Sequence, residues 1–152
     1  MSAKARMAEL GIVLPPVAAP VAAYVPAVRT GSLVYTSGQV PMAEGGGFAL
    51  SGKVGAEVSA EEAKAGARTC VLQALAAVDA LVGLDSVQRV VKVVGFVASA
   101  PGFTGQPGVV NGASELLGQV FGEAGQHARS AVGVAELPGG VPVEVEMIVE
   151  VR

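Results

Sequence analysis

Tryptophan is absent from this chain, and two tyrosines and four phenylalanines are its only aromatic residues, 4% of the total. A core organised around large rings is thereby excluded. Hydrophobic residues still make up 51% of the 152 residues, chiefly Ala and Val, so the interior should be finely packed from small aliphatic groups. Charge is scarce as well: 15% of residues are Asp, Glu, Lys or Arg, against about 25% in ordinary soluble domains. A monomer so poor in charge would expose wide apolar patches, so partner subunits are expected to cover part of the surface.

The only cysteine, Cys70, can form no intrachain disulfide and sits in an apolar helical pattern, as a buried small hydrophobe would. With one histidine, His127, it cannot build an ordinary zinc site, and no serine nucleophile elbow is present to suggest a Ser-His-Asp triad. Gly52-Lys53-Val54 lacks the spacing and hydroxyl of a phosphate loop, and Gly45 to Gly47 neither follow a long strand nor open a helix, as a dinucleotide fingerprint requires. No basic stripe exists: the net charge is −3 and the Lys and Arg residues are scattered, which argues against nucleic acid as a partner. The longest apolar run, Cys70 to Leu84, is too short to span a membrane and contains Asp79. Charges of both signs at the N-terminus are unlike a secretory signal, so a cytoplasmic location is expected.

The patterns present suit one domain of about usual size. Residues 2 to 10 predict a short helix ending at Gly11, and the proline-rich stretch Leu14 to Pro20 an extended arm. We take residues 1–20 as an N-terminal extension and 21–152 as a single domain. Tyr24 to Arg29 and Leu33 to Ser37 read as strands around a turn at Thr30-Gly31-Ser32, with a short strand near Phe48 to Leu50. Ser59-Ala60-Glu61-Glu62 is a capping box before a helix whose apolar positions are Ala63, Ala67, Val71, Ala74, Val78 and Leu81, with Gly83 as its stop. Val90 to Ala98 reads as a strand apolar on both faces, covered by this helix and by a second helix or a neighbouring subunit. A helix from Pro107 to Glu123 with a stop at Gly125, a strand from Arg129 to Ala135, a turn at Leu137 to Gly140 and an alternating strand from Val143 to Val151 complete the order. The expected fold class is α+β: a two-layer mixed β-sheet with two helices packed on one face and the other face open.

Polar residues set in apolar strands are the candidates for chemistry. Arg129 shares a strand face with Ala131 and Gly133, which leave room beside the guanidinium. Its planar fork suits a carboxylate, either a ligand's or that of Glu144 or Glu146 in a structural ion pair. Glu144 and Glu146 lie on one side of the last strand, and a buried Glu there would titrate high unless an Arg sat nearby. Asn111 could cap its helix, the better reading of the pattern, or face a ligand. Gly38, in Thr36-Ser37-Gly38-Gln39, would form a turn or let a ligand approach the backbone.

His127-Ala128-Arg129-Ser130-Ala131-Val132, Val134-Ala135-Glu136-Leu137-Pro138 and Val143-Glu144-Val145-Glu146 together resemble the C-terminal signature of the Rid (YjgF) family of enamine/imine deaminases. Ala23-Tyr24-Val25-Pro26, Tyr35-Thr36-Ser37-Gly38-Gln39-Val40-Pro41, and Phe96-Val97 ahead of Val110-Asn111 match in the same order, so the resemblance covers nearly everything beyond residue 20. It implies the chorismate mutase-like YjgF fold, a homotrimer with the sheets around a central barrel, and clefts between neighbours. It also implies hydrolysis of 2-imino or 2-enamino acids to 2-oxo acids and ammonia, with no metal or organic cofactor. Arg129 would hold the substrate carboxylate and Glu144 would place the attacking water. Tyr24, Ser37, Gly38 and Asn111 would shape the cleft. His127 stands where the family commonly has Pro, Ala131 where it has Cys, and the segment from Gly102 to Val110 is longer than usual. A divergent RidA-like branch is implied. A non-catalytic trimer that binds a small carboxylate is the alternative, and an RNA-acting protein, as described for some relatives, is the least consistent with the charge.

Overall fold

The computed structural model describes residues 1–17 and 19–152. Its elements are α1 (Ala3–Glu9), β1 (Ala27–Thr30), β2 (Leu33–Thr36), α2 (Ala60–Val82), β3 (Val87–Ala98), α3 (Gln106–Phe121), β4 (Ala128–Val134) and β5 (Val143–Val151). The five strands form one sheet in the order β1-β2-β5-β3-β4. All neighbours are antiparallel except β3 and β4, which α3 joins as a crossover, so the sheet is mixed. The α+β reading holds, with α2 and α3 on one face.

Local chemistry sets where α2 begins and ends. Ser59 Oγ accepts from the Glu62 amide at 3.1 Å while Glu62 Oε2 accepts from the Ser59 amide at 2.8 Å, completing the capping box. Gly83, at φ 78°, ends the helix and its N–H closes on the Asp79 carbonyl. At 23 residues α2 is long and apolar enough to cross a bilayer, but 56% of its most apolar 18-residue stretch is buried inside the fold. Cys70, Val71, Ala74, Leu75 and Val78 face the sheet and α3. The two helices touch backbone to backbone: a Cβ on Gly112 of α3 would run into the Lys64 carbonyl of α2. We therefore expect Gly112→Ala to lower stability by about 1–3 kcal/mol in urea unfolding, although Ala gains about 1 kcal/mol of helix propensity over Gly. Unchanged stability would mean that the helices separate freely.

Several boundaries differ from the sequence expectation. Tyr24 and Val25 are exposed and outside β1, because Pro26 lacks the N–H a ladder needs there. Phe48 makes a single bridge to Met42 rather than a strand. The α3 helix stops at Gly122, φ 60°, and Gly122–Gly125 continue as a 3-10 turn. β3 starts three residues earlier than expected, and two register shifts against β5 break its alternation, which is why it reads as uniformly apolar. Both helices cover the same face of β3, so among the described residues no helix covers the opposite face, and of the two covers expected there the neighbouring subunit remains. Val94 and Phe96 are left half-buried on that open face. The N-terminal helix α1 is docked: Met7 is in the core, Lys4 pairs with Asp79 at 2.9 Å, and Arg6 donates to the Gln119 carbonyl.

Candidate functional site

Arg129 begins the face of β4 that looks toward α3, since it stands in register with buried Val93 of the parallel neighbour. The α3 helix can come this close because the residues between are small. Gly95 lies directly under Val110, and a Cβ there would collide with that side chain. Asn111 and Ser114, three apart on one face of α3, reach the guanidinium: Arg129 Nη1 donates to Asn111 Oδ1 at 2.8 Å and to Ser114 Oγ at 3.2 Å. Asn111 is therefore no cap. The helix begins at Gln106, five residues earlier, and Asn111 lies inside it. Ser114 also meets His127 Nε2 at 2.9 Å, and His127 Nδ1 lies 2.6 Å from the Gly125 carbonyl. The space beside Gly133 is taken by Gln106, whose amide a Cβ on Gly133 would meet at 2.8 Å.

Glu144 belongs to the other face. Along β5 the residues Val143, Val145, Met147, Val149 and Val151 are buried under the helices, and Glu144, Glu146, Ile148 and Glu150 point to the open side. Gln39 and Val145 exchange backbone hydrogen bonds of 2.9 and 3.0 Å, which lays Gly38 against Glu144. A Cβ on Gly38 would stand 3.0 Å from the carboxylate, so any larger residue would press the Glu144 side chain aside. Ser37 donates through Oγ to the Val25 carbonyl at 2.6 Å, tying the exposed segment that carries Tyr24 to the end of β2. Gln73 of α2, buried, fixes the following loop by accepting from the Met42 amide and donating to the Val40 carbonyl.

Burial holds the Glu144 carboxyl above its ordinary range, and the like charge of Glu146 adds to the effect. Cys70 lies beneath this strand, and burial, then the charge of Glu144, pushes its thiol far up. It is an inert core residue, as expected.

Within one chain the candidates fall into two groups. Gly38 and Glu144 lie at the open face, with Ser37 beside them and exposed Tyr24 next to the Val25 that Ser37 holds, whereas Arg129 and Asn111 lie on the helix side with Ser114 and His127. Arg129 pairs with Val93 and Glu144 with Phe96, two strands apart across β3. The separation is about 10 Å across the sheet and about 10 Å along it, with opposite orientation. An ion pair of Arg129 with Glu144 or Glu146 is thereby excluded within one chain. Three surface depressions, beside Arg89 and Glu150, around Lys53 and Glu136, and between Glu61 and Gln119, are lined by neither Arg129 nor Glu144. Ser114 and His127 were missed from sequence. The three-residue spacing of Ser114 from Asn111 was the available signal.

Known proteins resemble this chain over nearly its whole length. The family model described as endoribonuclease L-PSP matches residues 16–151. Protein TCP17 of Trypanosoma cruzi is 48% identical over 150 residues, 97% of this chain and 93% of that protein. The crystal structure of Atu1372 from Agrobacterium tumefaciens, of unknown function, superposes with a TM-score of 0.90 at 44% identity, covering 99% of this chain and 92% of that one. TdcF of E. coli, crystallised with bound serine, superposes with a TM-score of 0.62 at 26% identity, covering 91% and 94%. By fold, by sequence and by the extent of the match, the chain belongs to the endoribonuclease L-PSP family, the YjgF/Rid proteins.

Proposed function

We propose that this protein hydrolyses reactive 2-imino or 2-enamino acids to 2-oxo acids and ammonia, at a site that two copies of the chain complete. The observation that carries the reading is the state of Arg129. Its guanidinium is half-buried, steered through Nη1 alone by two neutral acceptors, and among the described residues no carboxylate pairs with it. The edge formed by Nε and Nη2 keeps its donors, which match a ligand carboxylate bidentately. The serine bound to the relative TdcF is itself a small amino-acid carboxylate, which supports this assignment.

The chemistry asks for little more than orientation. A protonated imine is already electrophilic at its carbon. Water adds there and gives up a proton to Glu144, Glu144 passes that proton to the carbinolamine nitrogen, and as the C–N bond breaks to release ammonia the hydroxyl proton goes to Glu144, leaving the 2-oxo acid. Because Arg129 and Glu144 lie on opposite faces of one sheet, the carboxylate holder of one copy would work with the water-placing group of the next. A homotrimer, inferred from the family, supplies such pairs of faces, and the half-buried Val94, Phe96 and Ile148 give the open face an apolar part suited to burial there. Tyr24, Ser37 and Gly38 would then line the cleft beside Glu144, and Asn111 would line it beside Arg129. The reading needs no metal or organic cofactor, takes 21–152 as the catalytic domain, and suits a cytoplasmic protein.

Ammonia and 2-oxo acid release from 2-iminopropanoate and 2-iminobutanoate, generated in situ, tests it. Turnover requires ionised Glu144, so the rate should fall as pH drops through a value above the ordinary glutamate range. Glu146→Gln removes the like charge and should move this acid limb to lower pH, read from kcat/KM against pH. A limb that stays in place would detach the limb from Glu144.

One observation favours the non-catalytic alternative, a trimer that only binds a carboxylate: Gln106 fills the space beside Gly133, on the same face of β4 as Arg129. Carboxylate binding without ammonia release would select it.

A further inference from the structure

His127 stands two residues before Arg129 and reaches α3 through Ser114. Its hydrogen bonds define the tautomer of the neutral ring. The Gly125 carbonyl can only accept, so the proton of a neutral ring resides on Nδ1, and Nε2 must accept. The single hydroxyl proton of Ser114 is thereby committed to His127, and the serine oxygen keeps its lone pairs for Arg129. Both hydrogens of Nη1 are then occupied, one by Asn111 and one by Ser114.

We propose that His127 is a positioning residue: through Ser114 it holds the Arg129 guanidinium in the orientation that offers its Nε and Nη2 edge to a carboxylate. The arrangement has the outline of a Ser-His dyad, but Ser114 lies inside α3, where backbone amides are engaged in the helix and cannot serve as an oxyanion hole. Its use is orientation. The inference rests on the assignment of Arg129 as carboxylate holder and not on turnover.

The test uses the full-length protein with 2-oxobutanoate as probe, its Kd measured by calorimetry, beside KM and kcat for 2-iminobutanoate. Loss of one neutral hydrogen bond in the relay should cost about fivefold in Kd. His127→Leu is expected to weaken the probe by that factor and to raise KM with kcat unmoved, whereas His127→Gln, which offers an acceptor oxygen, recovers most of the affinity. In a Ser114→Ala background His127→Leu should add nothing, because the relay is already cut. The chain has one histidine, so its imidazole nitrogen signals are unambiguous in NMR and should report the Nδ1–H form, with Nε2 shifting in Ser114→Ala. An equal loss of affinity from His127→Leu with or without Ser114, an unchanged Kd, or the Nε2–H form would each overturn the proposal. If wild type does not bind the probe, the proposal falls with the Arg129 assignment. If wild type binds but releases no ammonia, the hydrolase reading fails while the relay is decided on Kd alone.

Discussion

Arg129→Ala should reduce kcat/KM for 2-iminobutanoate by about two to three orders of magnitude, since two charge-assisted hydrogen bonds to the substrate carboxylate disappear. The protein should remain folded. The partners that Arg129 leaves behind, Asn111 Oδ1 and Ser114 Oγ, are neutral and half-buried, so the lost stability should be about 1 kcal/mol. Arg129→Lys tests geometry apart from charge. Lysine keeps the cation but presents no planar fork, so it should recover only part of the loss. The assay is 2-oxo acid formation, with thermal unfolding and oligomeric state measured on the same samples. An Arg129→Ala enzyme with unimpaired kcat/KM would remove the guanidinium from the reaction and leave it a structural partner of Asn111.

A mixture of two inactive variants should regain activity. Arg129→Ala chains keep Glu144, and Glu144→Gln chains keep Arg129. If each site draws these groups from neighbouring copies, co-folded mixed oligomers contain intact sites. Random assembly of equal amounts should restore about a quarter of wild-type activity. The reason lies in the sheet. In one chain the side chains emerge on opposite faces, two strands apart, and no rotamer change carries one through the sheet to the other. No recovery on mixing, in oligomers shown to have exchanged subunits, would place the two residues at separate sites or require a different mechanism. Refolding the two chains together and separately distinguishes failed exchange from failed complementation.

These expectations rest on features legible to different degrees. The α2 helix was readable almost to the residue, because its signals are local: the Ser59–Glu62 box opens it and Gly83 closes it. The last strand was readable for the same reason, since the Val-Glu-Val-Glu alternation that opens it assigns two faces without reference to any other segment. Asn111 was misread because a local pattern allowed a helix start near Pro107 and cannot say that the chain curls back to bring Arg129 against the helix. The start of β3 was hidden by two bulges, which exist only relative to a partner strand.

The sequence by itself determined the family, the two ends of α2 set by its cap and glycine, and the residue types able to meet a carboxylate and a water. Which of them meet was a tertiary decision. On β4 the more apolar set is Val132 and Val134, which simple patterning would bury; instead Arg129, Ala131 and Gly133 face the helices. Space decided this: α3 presses on Gly95 with Val110, and beside it only small residues and a guanidinium held by Asn111 and Ser114 fit. Glu144 goes to the open face because its neighbours Val143 and Val145 fill the core beneath it. Periodicity tells a strand that it has two faces, but packing against α3 assigns Arg129 to one of them, and burial then raises the carboxyl of Glu144 on the other.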